Sequence, residues 1–489
     1  MPIRPKIKSF GYSTMIYGFS NLLTKIVAVT LIPLYTNYLS VYEVGIITLL
    51  EMIELFIVTI IPVGSVNAMW RYLPKEKRSD KNKIIISSFI INLISGAIII
   101  GTLFFFKDHI ASILSINNGN NIFLFVLLSC FLRATSNFIY WLLQYKNLAF
   151  FYLILSLTQF ISLILFTIYF IVFRNYGVIG IYYSKVIVFV FVFLFTIIFL
   201  IRTAAALPSG RLILKLLTYG LPMIPLALLM PVLTVSDRYF LKMFSSVEEI
   251  GRYGIAYKFG MLINMLIVIP IQRSWGPQMF QVGNDLEESR KIHQDITFYY
   301  SFIGLFIIIG MSFFAETILL IFANEDYLSV SWVIPWISFA YFIGGFKIFL
   351  QASASIADRT DLFIKIGIYT IASNILLNYY LIQYYGIQGA VASTILSYSI
   401  LVILLFYSSK TVSKIKWPIK RIIHGFSIAS LLIITFYIIK EINLDYESTI
   451  KIFLLASFPI ISLMTNLIGK KELNGLRSLL NSFTKKVFT

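Results

Sequence analysis

Five ionisable side chains stand inside long apolar runs of the sequence: Lys25, Glu51, Glu54, Arg133 and Lys258. At the centre of a bilayer such a group costs roughly 2.5–3.5 kcal/mol on insertion scales, so it faces a protein interior or a water-filled cavity and marks a substrate or ion path. Glu51 and Glu54 are three residues apart, which puts both on one face of a helix. Two chemistries are open to them. They carry a coupling proton or sodium ion, or they pair with a base and hold two helices together. Lys25, Arg133 and Lys258 are cations, the natural partners of a phosphate-bearing anion in low dielectric. The alternative for Lys25 and Arg133 is an internal pair with Glu51 or Glu54. Asp237 and Arg238 fall together at the outer end of a later run, and Arg252 at the outer rim of the next. Arg238 and Arg252 join the anion-binding candidates, and Asp237 joins the two glutamates as an ion-coupling or salt-bridge candidate. Lys185, Arg273 and Lys347 lie nearer the ends of their runs, where a long basic stem reaches the interface.

The elements that position these groups are transmembrane helices. Of 489 residues, 58% are hydrophobic and 13% charged. A soluble domain of this size carries about 25% charged residues. The apolar runs are long and continuous, which excludes a barrel of short alternating strands. About 14 spans of roughly 20 residues are expected. They lie near 12–34, 42–66, 84–106, 122–143, 149–172, 178–201, 214–236, 251–273, 296–322, 330–353, 362–384, 388–408, 420–438 and 450–468. The fold class is therefore an all-α polytopic membrane protein. Pro33, Pro225, Pro231 and Pro270 interrupt the first, seventh and eighth spans, as bend points for movement or as static kinks.

The net charge of +18 follows the loops. Lys and Arg crowd the N-terminus, the 67–83 and 202–215 loops, the 410–421 loop and the tail, and are sparse in the alternate loops. By the positive-inside rule both termini are cytoplasmic, and no nucleic-acid partner is needed to account for the charge. The basic segment Met1–Ser9 precedes a full span rather than a short cleavable core. One cysteine, Cys130, permits no intrachain disulfide, and His109, His293 and His424 have no ligand-like spacing. No metal or organic cofactor is expected.

The chain repeats itself. Tyr176-Gly177-Val178-Ile179-Gly180 matches Tyr385-Gly386-Ile387-Gln388-Gly389, Tyr17-Gly18 matches Tyr219-Gly220, and Glu43-Val44-Gly45 matches Glu249-Ile250-Gly251. The interval equals six spans, an even number, so the halves share one orientation and form a parallel repeat. The domains expected are an N-lobe over 1–201, a C-lobe over 202–409, and two further spans with a basic tail over 410–489. Two related bundles facing each other suit alternating access to a central site.

Around the seventh and eighth spans the residues become specific. Tyr219-Gly220-Leu221-Pro222-Met223-Ile224-Pro225, Ser236-Asp237-Arg238-Tyr239-Phe240-Leu241, Glu249 to Lys258, and Trp275-Gly276-Pro277 follow in order. This series resembles the bacterial polysaccharide flippases, exporters of O-antigen, capsule or teichoic-acid repeat units. They belong to the multidrug/oligosaccharidyl-lipid/polysaccharide exporter superfamily. The resemblance implies an undecaprenyl-diphosphate-linked oligosaccharide as substrate, turned from the cytoplasmic to the outer face of the bacterial inner membrane. It implies a cavity lined by the first, second, seventh and eighth spans, and a groove for the lipid tail beside the last two. A polysaccharide polymerase and chain-length machinery are the expected partners and a monomer the expected working form, and the intramembrane carboxylates are the candidates for coupling to a proton or sodium gradient.

Three rivals compete. A multidrug exporter of the same superfamily moves cations, so its cavity should favour acid, whereas mid-membrane base exceeds acid here. A glycan polymerase or ligase needs a sizeable external loop, and the exterior loops are short. A channel or scaffold is the third, and the two-lobe repeat with mid-membrane charges fits alternating access better, a distinction that saturable flux would test. No Gly-rich phosphate loop supports a nucleotide-driven pump.

Overall fold

A computed structural model describes residues 29–114, 121–272, 286–356, 361–412, 417–442 and 447–469. Among them every regular element is helical, because a backbone in lipid must satisfy its own hydrogen bonds. The first half of the chain contributes α1 (Ile32–Tyr38), α2 (Val41–Ile60), α3 (Ser65–Tyr72), α4 (Arg78–Phe105), α5 (Lys107–Ile113), α6 (Ile122–Tyr145), α7 (Ala149–Ile168) and α8 (Gly177–Ala204). There follow α9 (Gly210–Gly220), α10 (Ile224–Phe244), α11 (Val247–Gly260), α12 (Leu286–Phe322), α13 (Val333–Gly345), α14 (Lys347–Ile356), α15 (Asp361–Val412), α16 (Ile419–Glu441) and α17 (Glu447–Met464). Eleven helical stretches among the described residues are long and apolar enough to cross a bilayer. The span expected over 12–34 lies mostly outside the described residues. Those expected over 362–384 and 388–408 are the two arms of α15, bent at Gly386.

The chain divides into two compact units. The first comprises Met1–Lys258, Phe322–Tyr327 and Ile364–Ser397. Here the sequence repeat becomes geometry. Ser40 caps α2 with a capping box: its hydroxyl accepts from the Glu43 N–H, and the Glu43 carboxylate accepts from the Ser40 N–H at 2.9 Å. At the matching place before α11, the Ser246 hydroxyl accepts from the Glu249 N–H at 3.2 Å. The two helices then cross backbone to backbone. A Cβ on Gly45 would overlap the Val247 carbonyl, and one on Gly251 would overlap the Val41 carbonyl. The contact is reciprocal between corresponding residues of the repeat. It is the small-residue packing by which membrane helices approach closely, since lipid offers no hydrophobic drive between them. Gly177 and Gly386, matched in the repeat, both carry a left-handed φ, +59° and +51°. A residue with a Cβ there would be disfavoured by roughly 1–2 kcal/mol.

An apolar core joins α3, α4, α6, α8 and α9 through Met69, Ile84, Phe89, Phe138, Leu142, Leu200 and Leu216. By contrast α7 turns Phe150, Phe151, Ile161 and Leu165 outward, as a lipid-facing helix does. Three buried hydroxyls are satisfied within their helices: Thr48, Ser184 and Thr196 each donate to the carbonyl four residues before.

The second unit comprises Phe259–Ile321, Leu328–Phe363 and Tyr398–Thr489. Aromatic contacts dominate it. Tyr300 of α12 stacks on Phe342 of α13 with centroids 5.2 Å apart and donates its hydroxyl to the Phe342 carbonyl. Phe302 stacks on Phe458 of α17, and Phe313 packs on Phe436 of α16. Lys440 of α16 pairs with Glu316 of α12 at 2.7 Å, and Arg421 lies 3.7 Å from the centre of the Phe298 ring.

Candidate functional site: a charged cluster in the first unit

Glu51 and Glu54 sit one turn apart on α2, and each holds a base. Lys258 of α11 lies 2.9 Å from Glu51 Oε2 and 3.0 Å from Oε1. Glu54, only 2% exposed, takes Lys185 of α8 at 2.6 Å on Oε1 and Arg133 of α6 at 3.4 Å on Oε2. The Tyr35 ring of α1 stands 5.9 Å from the Lys258 ammonium. Lys185 and Arg238 also lie within electrostatic reach of Glu51. Among the described residues, three cations therefore share two carboxylates, leaving one positive charge in excess. The cluster is not sealed: the side chains of Arg133 and Glu51 are 43% and 36% exposed.

A second polar group gathers around Asp237 and Arg238 of α10, which pair at 2.8 Å. Arg238 also donates to the Thr234 carbonyl at 2.6 Å and lies over the Tyr257 ring at 4.2 Å. Tyr253 of α11 donates its hydroxyl to the other Asp237 oxygen. Beside them Ser236 bonds Asn374 and accepts from Asn378, both on the first arm of α15. The second arm adds Ser393, which donates to Asn378 Oδ1, and Ser397, which accepts from Asn374 at 3.0 Å. A buried network of this kind persists because each member is satisfied.

The sequence-derived candidates fall as follows. Lys25 lies outside the described residues, as does Arg273. Glu51, Glu54, Arg133 and Lys258 come together in the first cluster. Asp237 and Arg238 form the second; they are 3% and 6% exposed and not at the end of their span, because α10 runs nearly two turns further to Phe244. Arg252 stays apart, donating to the Asp326 carbonyl at 3.0 Å. Among the prolines, Pro33 and Pro225 open α1 and α10, where a missing N–H breaks no helical bond. Pro231 stands inside α10, and Pro270 follows a π turn over Asn264–Val268. The expectation that Lys185 reaches the interface is corrected: it lies eight residues into α8, in a pair with Glu54.

The family described as "Polysaccharide biosynthesis protein" matches residues 10–282, more than half of the chain. The chain belongs to that family. Its fold is shared with solved transporters. A structure described as "Lipid II flippase MurJ, inward closed conformation" has a TM-score of 0.69 at 17% identity, covering 94% of this chain and 98% of that one. An inward-facing multidrug resistance MATE family transporter of the MOP superfamily has a TM-score of 0.65 at 14% identity, covering 80% and 94%. The MATE transporter VcmN of Vibrio cholerae, in its bent form, has a TM-score of 0.53 at 14% identity, covering 83% and 96%. No curated protein sequence matches the chain.

Sequence reasoning missed Lys185 as a cluster member and the Asn374, Asn378, Ser393 and Ser397 network altogether. A signal was present for the network: Asn374 and Asn378 are four apart in an otherwise apolar run, as are Ser393 and Ser397. In this family member those spacings place polar atoms on one face of each arm of α15.

Proposed function

We propose that the protein is a flippase for an undecaprenyl-diphosphate-linked oligosaccharide repeat unit. It carries the unit from the cytoplasmic to the outer face of a bacterial cytoplasmic membrane by alternating access, for O-antigen or another surface polysaccharide. The observation that carries the reading is the cation excess at Glu51 and Glu54, with Arg133 partly exposed. A diphosphate is an anion. A cluster that already neutralises its own carboxylates and keeps one cation to spare attracts it, while repelling the cationic drugs a multidrug exporter moves. Lys258, Arg133 and Lys25 are the headgroup contacts, with Arg238 and Arg252 as further cations along the path. Both termini are cytoplasmic, the transporter acts as a monomer, and it works beside a glycan polymerase and chain-length machinery.

Transport is coupled to a proton or sodium gradient. Asp237 is the best-equipped group for that role, since its oxygens face Arg238 and Tyr253 beside a hydroxyl and amide network. Glu51 and Glu54 serve primarily to hold the cations in place. The test is flipping of an undecaprenyl-diphosphate-linked saccharide in proteoliposomes by the wild type, Lys258→Ala and Arg133→Ala. Activity of the wild type, reduced at least about tenfold in both variants at equal abundance, supports the reading. Absence of wild-type flipping under any gradient, with uptake of a lipophilic cation, overturns it in favour of a drug exporter.

A further inference from the structure

On the face where the 67–83 and 202–215 loops meet, the first unit carries a pocket of about 470 Å³ lined by Arg71, Tyr72, Arg211, Lys215, Thr218 and Tyr219. Its walls are the last turn of α3 and the outer side of α9. The two helices are pressed together where Gly64 and Gly220 meet: a Cβ on either would overlap backbone of the other segment. Met69 and Leu216 are buried in the common core. With one face of α9 fixed inward, Arg211, Lys215 and Thr218 fall on the opposite face at helical spacing.

The cations are held by rings in a crossed arrangement. Arg71 of α3 lies over Tyr219 of α9 at 4.4 Å, and Lys215 of α9 lies over Tyr72 of α3 at 4.3 Å. The two rings meet edge to face at 6.0 Å. Ring contacts fix cations in place without neutralising them. Among the described residues a single carboxylate lies within 4 Å of the three cations: Glu76, 3.4 Å from Lys215. Arg71 and Arg211 have none. Three cations converging on a concave surface repel one another unless an anion lies between them. Leu214, 68% exposed, also lines the pocket and adds apolar surface of the kind that meets acyl chains and headgroups.

We propose that this pocket binds a phosphate-bearing headgroup at the membrane surface, the guanidinium groups of Arg71 and Arg211 clasping the phosphate oxygens and the ammonium of Lys215 completing the site. The same chemistry serves an anionic bilayer lipid or a free diphosphate, and the experiment separates them. Neither alternative depends on the transport reading.

The full-length protein, purified in detergent, is titrated with phosphatidylglycerol and phosphatidylcholine and followed by native mass spectrometry. Wild type and R71Q/R211Q are compared, with K365Q/K420Q as a charge-matched control at exposed positions elsewhere. A milder variant, R71K, keeps the charge and loses the planar fork. The expected result is retention of phosphatidylglycerol over phosphatidylcholine by the wild type and the control. R71Q/R211Q loses that affinity by about tenfold or more, and R71K falls between. Displacement of the lipid by inorganic pyrophosphate assigns recognition to the phosphate alone. Retention against pyrophosphate assigns it to a bilayer lipid held by head and chains. Equal retention by wild type and R71Q/R211Q, or no preference for the anionic lipid, overturns the proposal.

Discussion

Two cations on one carboxylate carry different burdens in the charged cluster. Lys185 and Glu54 are almost enclosed, with side chains 13% and 3% exposed, while Arg133 is 43% exposed on the same carboxylate. Lys185→Met leaves the buried Glu54 with a longer and wetter partner, a change expected to destabilise by about 3 kcal/mol. Arg133→Ala removes a half-exposed contact and should shift stability by under about 1 kcal/mol, yet impair transport of the anion. Thermal unfolding in detergent, read beside flipping in proteoliposomes, checks both. A larger stability loss for Arg133→Ala than for Lys185→Met would contradict the assignment. Glu54→Leu combined with Lys185→Met should recover much of the lost stability, because an apolar pair leaves no buried charge behind. The sequence made the carboxylates and most of their cations legible, since ionised groups inside apolar runs have few places to go. It did not reveal which cation meets which carboxylate. That depends on how α2, α6, α8 and α11 are rotated about their axes, and lone charges on long apolar helices do not fix rotation.

Helices in this fold approach as closely as their smallest residues allow. Gly45 and Gly251 permit α2 and α11 to touch through backbone, so Gly251→Ala or Gly45→Ala must push the helices apart and is expected to destabilise by roughly 1–3 kcal/mol. Gly101, within α4, has open space where its Cβ would stand. Gly101→Ala should be neutral or stabilising by up to about 1 kcal/mol, because alanine loses less freedom in a helix. Unfolding midpoints of the three variants decide the matter, and equal behaviour would mean that the crossing is not tight. The repeat was readable in short glycine-bearing motifs, and those glycines are where the backbone is bent or crossed. For the Asn374 and Ser393 network the spacing showed a polar face on each arm of α15, but nothing local says that the two faces meet each other and Ser236.

Over the whole molecule the basic loops define a sidedness that labelling can read. Cys130 is buried, so cysteines introduced elsewhere report almost alone. Glu76→Cys and Lys215→Cys are expected to react with an impermeant maleimide only from the cytoplasmic side, and Asn324→Cys only from the other. Reaction of Glu76→Cys and Asn324→Cys from one side would invalidate the topology. The helical nature of the spans was legible from hydropathy, and the break between the two arms of α15 falls where the repeat motif placed a link, at Gly386, whose φ of 51° and ψ of −126° are not helical. The reciprocal contact of Val41 and Gly45 with Val247 and Gly251 has the form of an isologous interface, such as two identical subunits would make, preserved within one polypeptide. In such an interface residue i of one half meets residue j of the other and j meets i, so every contact off the axis is made twice. The ion pair of Glu51 with Lys258 breaks that reciprocity: the repeat aligns Glu51 with Tyr257 and Lys258 with Met52, so the pair is made once and has no counterpart in the other direction. A single ion pair of this kind is open to two halves joined in one polypeptide, whereas two identical subunits would make it twice or not at all.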